Sequence, residues 1–498
     1  MSAQVHAWGM EAMLPAMPLP ESPQTTQVPL CVDLDGSLIA TDLLHESVFG
    51  LLKTRPWLVF CLPLWLLGGK AQLKTRLAAL VEPAVETLPY QPELLAMLDA
   101  ERRAGRAIIL ATASAQRHAE AVAAHLGLFD RVLATSATTN LSAANKARVL
   151  CDIFGERGFD YVGNSGDDLA VWAHSRGGYL VGCSPAMIER ARGQTEVLGV
   201  FERARPGLLA YLRALRVHQW LKNLLVFLPL LAAHRLQDGS ATLAAALAFV
   251  AFSLCASSVY LLNDLLDLPS DRAHVRKRKR PFASGLLPVA HGTWLMPLLL
   301  LAAALIGLQL PPLFAAALGG YFVLTLAYSI WLKNQVIVDV LLLACLYTSR
   351  VLAGAAATRI EPSFWLLAFS MFIFLSLAMV KRYSEMLVVL AQQKSTAPGR
   401  GYSTADLPVL IALGTSSGMM AILVVALYVN SPEVVLLYRH PWMLWLLPLG
   451  LLYWISRIWM KTHRGEMHDD PLVFAATDWQ SLAVGLLLGA ALVAGTLA

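Results

Sequence analysis

Residues 263–271 have the sequence Asn-Asp-Leu-Leu-Asp-Leu-Pro-Ser-Asp, and they follow an apolar stretch long enough to cross a membrane. If a helix continues through the motif, its spacing places Asn263, Asp264, Asp267 and Asp271 on one face. Clustered carboxylates repel each other unless cations neutralise them, and hard oxygen ligands at this spacing suit Mg²⁺ bound to a diphosphate. Ionisable groups at a membrane edge are costly and usually functional. The motif therefore predicts a metal-dependent phosphate site. The alternative is a solvated helix end whose acids pair with the arginines beyond it.

The composition indicates that this motif belongs to a membrane protein. Hydrophobic residues make up 57% of the 498 residues and charged residues 15%, which excludes a wholly soluble protein. A membrane-spanning helix needs about 20 mostly apolar residues. About nine such segments follow Arg216, centred near Leu228, Ala251, Leu300, Ala317, Leu343, Phe372, Met420, Leu446 and Leu487. We therefore predict an all-α transmembrane bundle of about nine helices over residues 216–498.

The distribution of positive charge predicts the orientation of this bundle. The connections that contain residues 272–280 and 381–400 are rich in Lys and Arg, whereas the alternate connections carry at most one basic residue. Basic loops stay on the cytosolic side of a membrane. The first 28 residues lack the features of a secretory signal. We expect an integral protein of the bacterial inner membrane, with the N-terminal region and the active sites in the cytosol.

A second group of candidate catalytic residues lies near the N-terminus. Residues 28–32 predict a short buried strand that ends at Asp33-Leu-Asp35-Gly-Ser. Ligands of open α/β sheets bind at the carboxyl ends of the strands. One aspartate could attack phosphorus while the other moves a proton. Three further segments follow in the chain: Ala107–Thr112, Lys146 after a polar stretch, and residues 161–168, Tyr-Val-Gly-Asn-Ser-Gly-Asp-Asp.

The order of these four motifs resembles that of the haloacid dehalogenase-like phosphatases over residues 28–195. The resemblance implies a doubly wound α/β fold with a helical cap, with Asp33 as nucleophile and Asp35 as acid/base. It also implies that Thr112 and Lys146 bind the phosphoryl group. The implied Mg²⁺ ligands are Asp33, the backbone carbonyl of Asp35, Asn164 and Asp168. Asn164 stands where these phosphatases commonly have an acid, and an amide attracts Mg²⁺ less strongly than a carboxylate. A non-catalytic domain is the alternative.

Between the first two motifs, residues 57–67 form an apolar run that is too short to span a membrane. We predict a cap helix that is buried against the domain. The alternative is an interfacial helix that dips into lipid. Either arrangement would place a cover over Asp33.

The motif at 263–271 resembles the first aspartate-rich motif of the UbiA-type intramembrane prenyltransferases, and the resemblance covers residues 213–498. Aromatic prenyltransferases of that superfamily usually carry a second such motif, but this chain has Lys381-Arg-Tyr-Ser-Glu385 there. That sequence, together with residues 215–223, 327–328, 332–335, 347–350 and 353–354, is similar to the decaprenyl-phosphate phosphoribosyltransferase branch.

The resemblance to this branch implies transfer of 5-phosphoribose from phosphoribosyl pyrophosphate to a polyprenyl phosphate. Asp264, Asp267 and Asp271 would be catalytic and would hold Mg²⁺ against the departing pyrophosphate. The substrate-binding candidates are Lys222, Asn263, Arg280, Tyr328, Lys333, Arg350, Lys381, Arg382 and Glu385. For each cation, ordinary anchoring at the cytosolic surface is an equal alternative.

The fusion suggests two consecutive steps, in which the N-terminal domain dephosphorylates the product to polyprenyl-phosphoryl-ribose. The predicted divisions are a disordered segment at 1–27, the phosphatase domain at 28–200 with its cap at about 44–95, a linker at 201–215 and the transferase at 216–498. The alternatives are an aromatic prenyltransferase that uses a polyprenyl diphosphate and a non-enzymatic module that binds lipid phosphate. We expect no nucleic-acid partner. The lipid chain length and the oligomeric state stay open, with a homo-oligomer as one option.

Overall fold

The computed structural model describes residues 27–396, 401–432, 434, 438–467 and 470–497. The predicted disordered segment at 1–27 lies outside the described residues except for Gln27. The chain divides into two compact units. The first, here called the α/β unit, contains the described residues up to Leu44 together with Cys61–Ala204. The second, here called the helical unit, contains His45–Phe60 and the described residues from Arg205 onward.

The α/β unit is built on a parallel sheet of six strands in the order β3-β2-β1-β4-β5-β6. The strands are β1 Leu30–Val32, β2 Ile108–Ala115, β3 Arg131–Thr135, β4 Asp160–Gly163, β5 Gly177–Val181 and β6 Glu196–Phe201. Apolar clusters cover both faces, with Leu30 and Val32 in one and Cys31 in the other. A strand that is buried on both faces is typical of a doubly wound fold, so the predicted α/β class is confirmed.

Helices connect these strands. They are α1 Leu43–Thr54, α2 Leu62–Leu67, α3 Lys70–Leu80, α4 Pro92–Arg103, α5 Gln116–Leu126, α6 Ala143–Phe154, α7 Leu169–Trp172 and α8 Pro185–Arg192. Because β1 pairs with both β2 and β4, the segments that follow these three strands lie at one edge of the sheet. That edge carries the first, second and fourth of the predicted phosphatase motifs, and α6 carries Lys146, the third.

The apolar run between the first two motifs differs from its prediction. It forms a 3-10 helix, Pro56–Cys61, followed by α2, and neither contains a buried residue. Trp57 is 65% exposed, and Phe60 and Leu67 are each 84% exposed. The prediction of a cap helix buried against the domain is therefore wrong for this segment. An unbroken run of apolar residues has no polar face, so the sequence could not show which side, if any, the protein covers.

The helical unit is all α. Its helices are α9 Leu208–Ala214, α10 Leu228–Ala232, α11 Gly239–Leu266, α12 Leu268–Ala273, α13 Val289–Gly307, α14 Pro312–Ile330, α15 Val338–Thr358, α16 Phe364–Ala391, α17 Leu407–Val429, α18 Leu446–His463, α19 Pro471–Thr477 and α20 Trp479–Leu497. Each of the nine predicted centres falls within one of these helices. The predicted all-α membrane bundle is confirmed.

The number of spans is slightly smaller than predicted. Within the described residues, seven helices are long and apolar enough to cross a membrane, and α19 with α20, bent by 81°, makes an eighth candidate. The segment near Leu228 is shorter, because Val217–Phe227 is a 3-10 helix and α10 has only 5 residues. Pro229 in the first turn of α10 lacks the N–H that would continue the preceding hydrogen-bond ladder.

Part of the predicted cap belongs to the helical unit. Residues His45–Phe60 group with that unit, and Phe49 of α1 packs in an apolar cluster with Leu261 and Leu265 of α11. The Arg272 guanidinium donates two hydrogen bonds to the Glu46 carboxylate, at 3.0 and 2.5 Å. The predicted cap at 44–95 is thus divided between the two units. The boundaries at 28–200, 201–215 and 216–498 stay predictions.

Candidate active sites

Asp33 follows β1 and is held by an ion pair. The Lys146 ammonium donates a 2.7 Å hydrogen bond to Asp33 Oδ1, and the Ser37 hydroxyl lies 3.2 Å from Asp33 Oδ2. Both charged side chains are buried. Burial raises the pKa of Asp33 to about 6, and the nearby Asp168 carboxylate adds to this, while the Lys146 ammonium opposes it. Asp33 is therefore ionised near neutral pH, as attack on phosphorus requires.

Asp35 is oriented from two sides. Its Oδ1 accepts the Leu43 N–H at the start of α1, at 2.9 Å, and its Oδ2 accepts the Ser114 hydroxyl at 2.5 Å. Burial raises the pKa of Asp35 to about 7, with the Asp42 carboxylate adding to the rise, and the Ser114 hydrogen bond lowers it. A pKa near the working pH is what a general acid/base needs.

Two residues of this site, Ser114 and Tyr161, were not predicted from the sequence. Thr112, which was predicted to bind phosphate, is buried on β2, and its hydroxyl oxygen accepts the Ser114 N–H at 3.0 Å. Ser114 itself reaches Asp35. Alternation along β2 could have found it, because residues two apart in a strand share a face. The other is Tyr161, whose hydroxyl accepts from Lys146 at 2.8 Å and donates to Asp168 at 2.7 Å.

Asp168 organises the loop after β4. Its Oδ2 accepts the N–H groups of Asn164 and Ser165, both at 2.9 Å, and the Ser165 hydroxyl at 3.0 Å. Its Oδ1 accepts from Tyr161. Three donors thus occupy Oδ2, while Oδ1 accepts one hydrogen bond and keeps a lone pair for a cation. The predicted role of Asp168 as a metal ligand stays a prediction.

The donor set beside Asp33 fits one hard cation. Asn164 Oδ1 lies 3.2 Å from the Ser37 hydroxyl, the same group that lies 3.2 Å from Asp33 Oδ2. One carboxylate and one amide oxygen therefore converge, which suits Mg²⁺. Gly36 makes this approach possible: it has φ +76°, and a Cβ there would lie 2.1 Å from Asn164 Nδ2.

The aspartate-rich motif of the helical unit is neutralised by arginines. Arg280 Nη1 lies 3.1 Å from Asp264 Oδ1 and 2.6 Å from Asp271 Oδ2. Arg216 also pairs with Asp264. Because one guanidinium nitrogen contacts both carboxylates, their oxygens converge on the position of a single cation, and Mg²⁺ fits that donor chemistry. Arg216 was predicted only as the start of the bundle, and its contact with Asp264 was not predicted.

Asp267 is held by different cations. The Lys53 ammonium lies 2.7 Å from Asp267 Oδ1, and the Lys333 ammonium lies 3.8 Å from Oδ2. Helix α11 ends at Leu266 and α12 begins at Leu268 with a proline in its first turn, so the helix does not continue unbroken through the motif. Asn263 contributes its carbonyl oxygen, which accepts the Asp267 N–H at 3.0 Å. The motif thus divides into an Asp264–Asp271 pair and a separately paired Asp267.

No three acids of this motif have oxygens within 4.8 Å of one another. Among the residues that the structure describes, one group of three possible metal ligands meets this 4.8 Å limit. It consists of Cys151, Glu156 and His174, which are partly or fully exposed. A metal at the aspartate-rich motif would therefore have to displace cations and draw the carboxylates together.

A second charged cluster contains the predicted Lys222 and Lys381. Lys222 donates a hydrogen bond to Asp470, Lys381 Nζ lies 3.8 Å from Asp470 Oδ2, and the Tyr347 hydroxyl donates to that oxygen at 3.2 Å. Asp470 was not predicted. Its signal was an acid directly before the last apolar segment, a costly position at a membrane edge.

The remaining predicted cations have protein partners. Arg350 is buried and donates to Asn223 Oδ1 at 2.8 Å and to the Tyr321 hydroxyl at 3.2 Å. Arg382, also buried, pairs with Asp339 at 2.5 Å and with Glu385. Tyr328 on α14 is partly buried. The Arg350 guanidinium and the Lys222 ammonium lie 5.6 and 5.8 Å from the centroid of the same Tyr347 ring. Arg350 therefore adjoins the cluster around Asp470, and the roles of these residues stay predictions.

Comparison with known proteins identifies both parts of the chain. The long apolar helices define an integral membrane protein with a hydrolase-like α/β unit. The chain belongs to the UbiA prenyltransferase family, whose model matches residues 224–482. Residues 30–170 match the model of the haloacid dehalogenase-like hydrolases. Both families are Mg²⁺-dependent.

Three relatives show how far the similarity extends. "Uncharacterized protein y4nM" of Sinorhizobium fredii is 37% identical over 94% of this chain and 91% of its own length. "Nodulation protein NoeC" of Azorhizobium caulinodans is 35% identical over 56% of this chain and 92% of its own length. "Decaprenyl-phosphate phosphoribosyltransferase" of Mycolicibacterium smegmatis is 38% identical over 35% of this chain and 56% of its own length. The fusion of both parts is thus shared with the first relative.

Proposed function

We propose that the helical unit transfers 5-phosphoribose from phosphoribosyl pyrophosphate to a polyprenyl phosphate, and that the α/β unit then removes the 5-phosphate. Both reactions would take place at the cytosolic face of a bacterial inner membrane. The observation that carries the proposal is the surplus of cations around the acids of the helical unit. Arg216, Arg280 and Lys333 contact the aspartate-rich motif, and two lysines contact Asp470. Such a site suits polyanionic substrates.

The transfer step needs positioning more than acid/base catalysis. A phosphate oxygen of the lipid attacks C1 of the ribose, the C1–O bond to pyrophosphate breaks, and pyrophosphate leaves with the electron pair. The attacking phosphate is already ionised, so no strong base is required. Mg²⁺ held by Asp264 and Asp271 would stabilise the charge on the departing pyrophosphate. Arg280, released from these two acids, would then be available to bind phosphate.

The second step is hydrolysis of a phosphomonoester. Asp33 attacks phosphorus, and the sugar 5-oxygen leaves and takes a proton from Asp35. Asp35 then removes a proton from a water molecule. This water attacks the phosphorus of the aspartyl phosphate, restores the Asp33 carboxylate and releases inorganic phosphate. Lys146 would hold the phosphoryl oxygens, and Mg²⁺ held by Asp33 and Asn164 would neutralise part of their charge.

The fusion supports this sequence of steps. The first reaction produces a lipid with a phosphomonoester, and the α/β unit carries the motifs that hydrolyse such esters. The relative named decaprenyl-phosphate phosphoribosyltransferase supports the choice of donor and acceptor through 179 aligned residues.

The proposal is tested with the purified full chain, Mg²⁺, phosphoribosyl pyrophosphate and a polyprenyl phosphate, with mass spectrometry of the lipid products. Wild type should yield a ribosyl lipid, Asp33→Asn its 5-phosphate form, and Asp264→Asn neither. Asp152→Asn, an exposed acid on α6, is the matched control and should behave as wild type.

Other outcomes would overturn parts of the proposal. The sugar donor would be rejected if no variant gave a sugar-bearing lipid and if the wild type, supplied with a polyprenyl diphosphate and an aromatic acid, transferred the polyprenyl group to that acid. A fully dephosphorylated product from Asp33→Asn would reject the second step.

A further inference from the structure

The segment Pro56–Leu67 is apolar, yet no residue within it is buried. Phe60 and Leu67 are each 84% exposed, Leu64 is 66% exposed and Trp57 is 65% exposed. Soluble surfaces rarely keep so many large apolar side chains in water over one short stretch. Because the described part of the chain does not bury this segment, an apolar partner outside the chain has to cover it.

The start of this segment lies at the end of a membrane span. The Lys53 ammonium is 2.7 Å from Asp267 Oδ1, and Asp267 directly follows α11, which ends at Leu266. Consecutive Cα atoms are about 3.8 Å apart, so Trp57 is within about 15 Å of Lys53 along the chain. Glu46, which pairs with Arg272, fixes α1 at the same end of α11. The exposed segment thus begins at the level where the span leaves the membrane.

The chemistry of the segment suits the boundary between lipid headgroups and acyl chains. Trp57 and Trp65 are amphipathic aromatic residues of the kind that concentrate there. The exposed Arg55 and Lys70 flank the apolar run and could pair with lipid phosphates. The segment is too short to cross a bilayer, but short apolar segments with basic flanks can lie in its surface.

We infer that Pro56–Leu67 inserts into the surface of the membrane that holds the spans of the same chain. Lipid is the occupant that the observations favour over a second copy of the chain, because the segment directly follows α1, which packs against the end of a membrane span, and because it has cationic flanks. The insertion would tether the α/β unit to the lipid surface between its first and second motifs. It would let that unit act on a phosphomonoester whose tail stays in the membrane, a consequence that rests on the proposed function.

Depth-dependent fluorescence quenching tests the insertion without reference to activity. The accessible Cys61, Cys151 and Cys345 are replaced by serine, Phe60→Cys is labelled with an environment-sensitive fluorophore, and the full chain is placed in nanodiscs. Nitroxide on the upper acyl chains should lower the emission at least about twofold relative to nitroxide-free discs. Leu298→Cys, at a 60% exposed site on the span α13, is the positive control.

Two results would overturn the inference. One is unchanged emission from the label at position 60 while the label at position 298 is quenched. The other is a blue-shifted label at position 60 that lipid nitroxides do not quench, which would assign the segment to a protein partner.

An activity measurement separates this inference from the proposed function. A variant with Phe60→Asp and Leu67→Asp should hydrolyse soluble ribose 5-phosphate like wild type but lose most turnover of the lipid-linked phosphomonoester. If the variant loses activity towards both substrates to the same extent, the tethering role is wrong. If wild type hydrolyses neither substrate, the proposed phosphatase step fails, while the quenching result still decides the insertion.

Discussion

Removal of the Ser114 hydroxyl should move the pH dependence of phosphate release. Burial raises the pKa of Asp35 to about 7 even though the 2.5 Å hydrogen bond that Ser114 donates lowers it. In Ser114→Ala the pKa of Asp35 should rise further. Asp35 must hold a proton to release the sugar oxygen, so the rate falls as pH rises through its pKa. The alkaline limb of the profile should therefore shift to higher pH.

The size of this shift follows from the hydrogen bond that is lost. A hydrogen bond to a charged group contributes about 1.5–3 kcal/mol, and about 1.4 kcal/mol corresponds to one pKa unit. Water that enters the space left by the hydroxyl recovers part of this. We expect a shift of about one unit. The acid limb depends on ionisation of Asp33 and should move less than the alkaline limb, because the Ser114 hydroxyl bonds Asp35 and does not contact the Asp33 carboxylate.

The assay is release of inorganic phosphate from ribose 5-phosphate by the full chain in detergent with Mg²⁺. An alkyl phosphate ester is used because its alkoxide is a poor leaving group, so the rate depends on protonation of the departing oxygen by the general acid. The parameter is kcat/KM between about pH 5 and pH 9, which reports groups of the free enzyme. Ser114→Thr keeps a hydroxyl and should retain the wild-type profile. An alkaline limb in Ser114→Ala that stays in place or moves to lower pH would refute the assignment of Asp35 as the acid.

Three further predictions concern other contacts. Asp339→Ala leaves the buried Arg382 without its fully buried partner and should cost about 3–5 kcal/mol of stability, seen as a lower Tm in detergent. Adding Arg382→Met should recover much of this stability, and equal Tm values for the single and double variants would contradict the prediction. Asp267 is also a predicted Mg²⁺ ligand, and Lys53→Ala removes a cation that would compete with Mg²⁺ for it. For a partly exposed pair worth up to about 1 kcal/mol, half-maximal transfer should need up to about fivefold less Mg²⁺, and an unchanged or higher requirement counts against competition. Gly36→Ala, at φ +76°, should displace the side-chain amide of Asn164, so this variant should accumulate phosphorylated lipid. A fully dephosphorylated product would show that the Asn164 amide is dispensable.

Most of the phosphatase-like site was predictable, because its residues follow strand ends whose order along the chain implies proximity. Asp33, Lys146 and Asp168 lie near one another, with contacts that are direct or pass through Tyr161, and their catalytic roles stay predictions. The site in the helical unit was less predictable. The four-residue spacing suggested one shared face for all its acids, but the break at Leu266–Leu268 separates the pairing of Asp267 from the rest.

The sequence by itself determined the class of each unit and the chemical character of each site, because apolar windows and short motifs depend on neighbouring residues. Only the tertiary structure decided which distant charges meet. Lys222 and Asp470 are 248 residues apart and Arg382 pairs with Asp339 from another helix, and no local pattern contains such contacts. Exposure is also a tertiary property: the run at 57–67 is equally apolar whether protein, lipid or water surrounds it, and the structure alone shows that protein does not bury it.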